Sequence, residues 1–143
     1  MERISFNSLS SEKSSWIETT SQGTPGRENL IIKDYSALKI NEFLPDPIGQ
    51  DDALMPAGEF IELYNSGNIT LDINGLHFQD DFGHKLFIDN THTSSTIIKL
   101  GSLLAIYVNG FSGLLNNDQD KIKLYYSNLL IDEVSYSTSK EGF

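Results

Sequence analysis

The chain has 143 residues, 20 of them acidic and 10 basic, for a formal charge of −10, with 38% hydrophobic residues and no cysteine. A chain of this size can bury most of its apolar side chains in one core, so it needs neither a disulfide nor a structural metal to fold. No apolar run approaches the ~20 residues of a membrane helix, and the net negative charge opposes phosphate backbones and anionic membranes.

Charge and composition both change near residue 35. Residues 1–35 hold four Lys/Arg against five Asp/Glu, and residues 36–143 hold six against fifteen, so −9 of the charge lies in the second part. The opening Met1-Glu2-Arg3-Ile4-Ser5 has neither the basic nor the apolar region of a secretory signal. From Asn7 to Asn29 the chain is mostly Ser, Thr, Gln, Glu and Gly, with Leu9, Trp16 and Ile17 as its large apolar residues, and it closes in the turn Gly23-Thr24-Pro25-Gly26. This segment reads as a solvated linker or arm.

From Leu38 onward, short apolar runs rich in Ile, Val, Leu, Phe and Tyr are punctuated every 8–12 residues by Gly, Asn, Asp or Pro, which is an all-β rhythm. Leu38, Ile40 and Phe43 open it, and Pro45-Asp46-Pro47 stops that strand. Gly58 to Tyr64 alternates, with Ile61 and Leu63 on one face and Glu62 between them. Leu71, Ile73, Leu76 and Phe78 form the next inward set, with a change of parity at Asn74-Gly75 that a bulge or tight bend would produce. Strands over Lys85 to Ile88, Thr96 to Leu100 and Leu103 to Val108 follow, the last ended by the turn pair Asn109-Gly110. Ile122, Leu124 and Tyr126 share one face of a strand, Lys121, Lys123 and Tyr125 the other, and Ser127-Asn128 turns the chain into Leu129 to Tyr136. In that last arm Asp132 has the parity of Leu130, Val134 and Tyr136, so it either sits at a bulge or is a half-buried carboxylate accepting backbone hydrogen bonds. About eight or nine short strands predict an immunoglobulin-like β-sandwich. Its core is predicted to be Ile40, Ile61, Leu63, Leu71, Ile73, Leu76, Phe78, Leu104, Ile106, Ile122, Leu124 and Val134.

The runs Lys39-Ile40-Asn41-Glu42-Phe43-Leu44-Pro45-Asp46-Pro47 and Gly58-Glu59-Phe60-Ile61-Glu62-Leu63-Tyr64-Asn65 resemble the opening strands of the lamin tail domain. Leu71 to Asp80 looks like that family's third block, with Leu76 where the family often has Trp, and Asn116 to Leu124 with Ile131 to Tyr136 looks like its late hairpin. The resemblance covers roughly residues 37–136. It implies an immunoglobulin-like interaction or attachment module without catalytic residues, of the kind found in nuclear lamins and in bacterial surface and secreted proteins.

In the family the late hairpin is followed by a closing strand of the form Glu-Arg-Ile-Ser, then a polar segment with a Trp and a Gly-Thr-Pro-Gly turn. Here those features come first, as Glu2-Arg3-Ile4-Ser5-Phe6, Trp16 and Gly23-Thr24-Pro25-Gly26. The resemblance thus implies a tandem array cut between repeats. Residues 1–35 are then an N-terminal arm from the end of a preceding repeat, and residues 36–143 most of the next sandwich. Glu2 to Phe6 are expected to supply the closing strand, in the same molecule or, by strand exchange, in a neighbour.

Candidate chemistry is sparse. Asp118 and Asp120 lie in Asn116-Asn117-Asp118-Gln119-Asp120, which lacks the glycine and the terminal glutamate of a calcium loop and reads as a solvated loop. Asp46, Asp51, Asp52 and Glu59 surround a Pro-bounded loop that could hold a cation weakly but reads as an acidic solubilising loop. Asp80-Asp81-Phe82-Gly83 is a hairpin turn rather than a magnesium motif. His77, His84 and His92 have no metal-ligand spacing. No Gly-x-Ser-x-Gly elbow supports a Ser-His-Asp triad, and Asn68-Ile69-Thr70 is a chance-level glycosylation sequon. Lys121, Lys123, Tyr125 and Tyr126 have the chemistry of a single-strand nucleic-acid platform, yet two lysines are too few in so acidic a domain.

The sequence therefore predicts no catalytic, cofactor-binding or metal residues. It predicts an acidic, non-enzymatic, extracellular or cell-envelope module of a longer bacterial chain, binding a protein or glycan partner, with no nucleic acid and no membrane insertion. A monomer is expected, with a strand-exchanged oligomer as the alternative. The second functional reading is an accessory domain that positions a neighbouring hydrolase or nuclease. A filament tail would need an upstream coiled coil, and residues 1–35 show no heptads.

Overall fold

The computed structural model describes residues 2–3, 11, 16–17, 34–111 and 113–142, and the chain divides into two units, Met1–Asp34 and Tyr35–Phe143. In the first unit, strand β1 (Glu2–Arg3) pairs antiparallel with β2 (Trp16–Ile17), Glu2 opposite Ile17 and Arg3 opposite Trp16. Ile4, Ser5 and Phe6, the rest of the expected closing strand, lie outside the described residues, as does most of the Asn7 to Asn29 arm.

The second unit is an immunoglobulin-like sandwich of nine described strands. They are β3 (Leu38–Leu44), β4 (Phe60–Asn65), β5 (Leu71–Asp72), β6 (His77–Gln79), β7 (Lys85–Phe87), β8 (Ile97–Ile98), β9 (Leu103–Tyr107), β10 (Asp120–Tyr126) and β11 (Leu129–Tyr136). One sheet has the order β3-β4-β9, the other β11-β10-β6-β7, and β5 and β8 form a short pair. Every pairing is antiparallel, so each strand can turn one face inward and leave the other wet.

That alternation is visible in the burial. On β4, Ile61, Leu63 and Asn65 are buried and Phe60, Glu62 and Tyr64 half-buried, while on β10 Asp120, Ile122 and Leu124 are buried between half-buried Lys121, Lys123 and Tyr125. Nine of the twelve predicted core residues are buried, and the other three, Ile40, Leu104 and Val134, are partly buried against them. The core is larger than predicted, because Tyr35, Leu38, Leu86, Ile88, Ile98, Val108, Leu114 and Leu115 join it. Leu114 and Leu115 lie in a loop, where no alternation exists to mark them.

Turns expected from the sequence form by the expected means. Leu76 N–H donates to the Ile73 carbonyl at 3.1 Å across Asn74-Gly75, with Gly75 at φ +80°. This is the left-handed third position a type II turn needs, and it accounts for the change of parity. Phe111 N–H donates to the Val108 carbonyl with both Asn109 and Gly110 at positive φ, a type I′ geometry that Asn-Gly favours. Asp80-Asp81-Phe82-Gly83 turns β6 into β7, with Gly83 at φ +93°.

Both readings of Asp132 hold. The β10–β11 ladder slips between Leu124, opposite Asp132, and Tyr125, opposite Leu130, which leaves Ile131 bulged. Asp132 Oδ2 accepts the Ile40 N–H of β3 at 2.9 Å, and Oδ1 stands 3.7 Å from Lys39 Nζ. The carboxylate thereby joins the edge of one sheet to the edge of the other where no backbone ladder is described.

Candidate functional site

The inward row of β4 continues one step before the strand: Glu59 has the parity of Ile61 and Leu63, and it is 2% exposed. Its backbone is held on both sides, its N–H donating to the Asp51 carbonyl at 2.8 Å and its carbonyl accepting Val108 N–H at 3.1 Å. Gly58 makes the approach of the 51–53 segment possible. It has φ +79°, and a Cβ there would lie 2.7 Å from the carbonyl oxygens of both Asp51 and Ala53. Close packing of this loop on the start of β4 is what buries Glu59.

The buried side chains of Asn65, Asp80 and Asp120 have hydrogen-bond partners. Asn65 Nδ2 donates to the Ile69 carbonyl at 2.7 Å, and its Oδ1 accepts Gly67 N–H at 3.0 Å. Asp80 accepts His84 N–H at 2.7 Å and meets His84 Nδ1 at 2.6 Å. Asp120 accepts Asn116 Nδ2 at 2.6 Å and Lys121 N–H at 2.7 Å. The Glu59 carboxyl meets no donor among the described residues. Burial, reinforced by the charges of Asp51, Asp52 and Asp46, pushes it up to about 8, so it is largely protonated at neutral pH.

Glu59 lines an open hollow of about 590 Å³ together with Gln50, Asp51, Asp52, Asn116 and Asn117, with Gly49, Gly113 and Leu115 completing the wall. The 113–117 loop is fixed from beneath, since Tyr136 Oη donates to the Asn116 carbonyl at 2.6 Å and Asn117 Nδ2 reaches Asp51 Oδ2 at 3.2 Å. Burial, with the Asp120 charge next, pushes the Tyr136 hydroxyl above its usual range and keeps it a donor. The acidic loop expected to be solvated is therefore one wall of a cavity, and one of its four carboxyl groups is inside the protein. Strand parity was the available signal.

A family model of the Lamin Tail Domain matches residues 33–138. The chain belongs to the lamin tail domain family. No curated protein matches it. The match begins two residues before the second unit and leaves the β1–β2 segment outside.

The remaining candidates of this lamin tail domain are dispersed. Asp118 is exposed, and the Asp120 carboxylate is occupied by Asn116 and Lys121 N–H, so the two do not form a common site. His77 stacks on Tyr125 at 5.4 Å, and burial lowers its basicity, with Lys85 adding to the effect. His84 is engaged by Asp80, and His92 Nδ1 lies 2.9 Å from the Tyr107 carbonyl. Lys123 pairs with Asp81 at 2.5 Å and Lys121 with Glu133 at 3.9 Å, while Tyr126 packs on Tyr35, so the cation and aromatic row is already engaged within the fold. Among the described residues no three His, Asp or Glu side chains stand close enough to hold a metal ion, and no helix is long and apolar enough to cross a membrane.

Proposed function

We propose that this lamin tail domain is a non-catalytic interaction module of a larger bacterial surface or secreted protein, presenting a rigid sandwich to a protein or glycan partner outside the cell. The observation that carries the reading is the family match across 33–138, laid on an immunoglobulin-like sandwich. Such folds place function in loops held by a fixed scaffold, and here the loops around Glu59 form a polar hollow rather than packing shut. In the same reading, residues 1–35 end a preceding repeat, and Glu2 to Phe6 close a sandwich of this type. The second reading, an accessory domain beside a hydrolase or nuclease, differs in requiring no ligand of its own.

Retention of the purified chain on arrays of extracellular proteins and glycans tests the proposal. Saturable binding to one class, with the partner recovered intact, supports it. Binding to none, or cleavage of the partner, overturns it.

A further inference from the structure

We infer that the hollow between the 49–59 and 113–117 loops receives a basic side chain of a partner protein, an arginine in preference to a lysine, with Glu59 as the buried acceptor at its inner end. The inference rests on the interaction-module reading and names the chemistry of the contact.

Two independent observations point to a ligand. First, the cavity wall carries three carboxyl groups, Asp51, Asp52 and Glu59, with the amide side chains of Gln50, Asn116 and Asn117 beside them. Second, Glu59 is 2% exposed and meets no donor among the described residues, whereas the buried side chains of Asn65, Asp80 and Asp120 are all hydrogen-bonded. A buried polar group that no protein donor meets costs free energy, and a donor entering the hollow from a partner would relieve that cost.

Size and spacing select the occupant. The hollow holds about 590 Å³, within the range of ligand pockets and far more than a bare ion needs. No three acidic or imidazole groups among the described residues are close enough together to ligate a metal. A guanidinium spreads five N–H donors over a rigid plane and can meet carboxylates that stand apart, while an ammonium is a compact point charge. The apolar stem of the arginine has cover as well, since Leu115 lines the wall. Entry of the cation reverses the balance at Glu59: the carboxyl releases its proton to solvent and accepts a charge-assisted hydrogen bond in its place. Binding is therefore coupled to proton release and tightens as the pH rises from 6 to 8.

The test uses the full chain and capped pentapeptides Gly-Gly-X-Gly-Gly, with X as arginine, lysine or the neutral isostere citrulline, followed by amide chemical shifts. The arginine peptide should give saturable shifts at Gln50, Asp51, Gly58, Asn116 and Asn117 with a millimolar dissociation constant, and citrulline should be weaker by roughly tenfold or more. Glu59→Gln should weaken that discrimination, since Asp51 and Asp52 remain, and should lose the pH dependence, while Leu129→Ala, outside the hollow, keeps both. Equal binding of arginine and citrulline, shifts confined to other residues, or no saturation would overturn the proposal. So would calcium chloride moving the same amides and displacing the peptide. If the chain still binds an arrayed protein or glycan and Glu59→Gln leaves that binding intact, the module reading stands and the arginine pocket falls.

Discussion

Replacing Asp132 by alanine removes the described bond between the edges of the two sheets, and its cost can be worked from the geometry. The Ile40 N–H loses a carboxylate acceptor at 2.9 Å, and hydrogen bonds to charged groups are worth about 1.5–3 kcal/mol. The Lys39 contact at 3.7 Å adds under about 1 kcal/mol, because the lysine side chain is 47% exposed and solvent screens the pair. The expected loss is thus roughly 2–3 kcal/mol, out of the ~5–15 kcal/mol typical of a domain. That corresponds to a fall in melting temperature on the order of 10 °C. Asp132→Asn keeps an acceptor oxygen without the charge and should lose about half as much. Circular dichroism is the suitable readout, since the one tryptophan, Trp16, lies in the first unit. Amide exchange at Ile40 reports the bond itself. A change within about 0.5 kcal/mol, with Ile40 as protected in Asp132→Ala as in the wild type, would refute the reasoning.

Truncating the inward rows, by Ile61→Ala or Leu124→Ala, should cost about 2–5 kcal/mol each in denaturant titrations, because both side chains are at most 1% exposed. Gly58→Ala places a Cβ against two carbonyl oxygens at positive φ, so it should cost at least about 1–3 kcal/mol and shift the amides of Asp51 and Ala53. The raised Glu59 carboxyl binds protons more tightly folded than unfolded, so its contribution is complete below pH 4.5 and is lost as the pH climbs to about 8. Glu59→Gln should match the wild type near pH 4 and become increasingly the more stable of the two as the pH rises towards 8, by an amount on the order of a few kcal/mol. Deleting residues 1–6 tests the closing-strand proposal. Lowered melting, weaker amide protection along Leu129 to Tyr136 or association in light scattering is expected, and an unchanged monomer rejects it.

Much of the sandwich was legible because its signals are local. Alternation marked Ile61, Leu63, Ile122 and Leu124 as inward, Asn109-Gly110 and Ser127-Asn128 marked turns, and the odd parity of Asp132 pointed to the bulge and the bond it makes. Leu114 and Leu115 were missed because they enter the core from a loop, and Leu86 and Ile98 because two- and three-residue strands are too short to show a period. The hollow was illegible for another reason. Asp51 and Glu59 are brought to Asn116 by packing between segments distant in sequence, and composition alone could not separate one buried carboxyl from three that are half-buried or exposed. The parity of Ile61 and Leu63, extended one step back, already placed Glu59 inside.

Everything assigned to the hollow depends on the state of one carboxyl group. The direct measurement is the pH titration of the Glu59 side-chain carbon by NMR in protein labelled with ¹³C-glutamate, assigned by loss of the signal in Glu59→Gln. A midpoint near 8 is predicted from burial beside Asp51, Asp52 and Asp46. A midpoint of about 4–5, the ordinary range of a solvated glutamate, would contradict the buried, donor-free placement of Glu59 and with it the proposed arginine site.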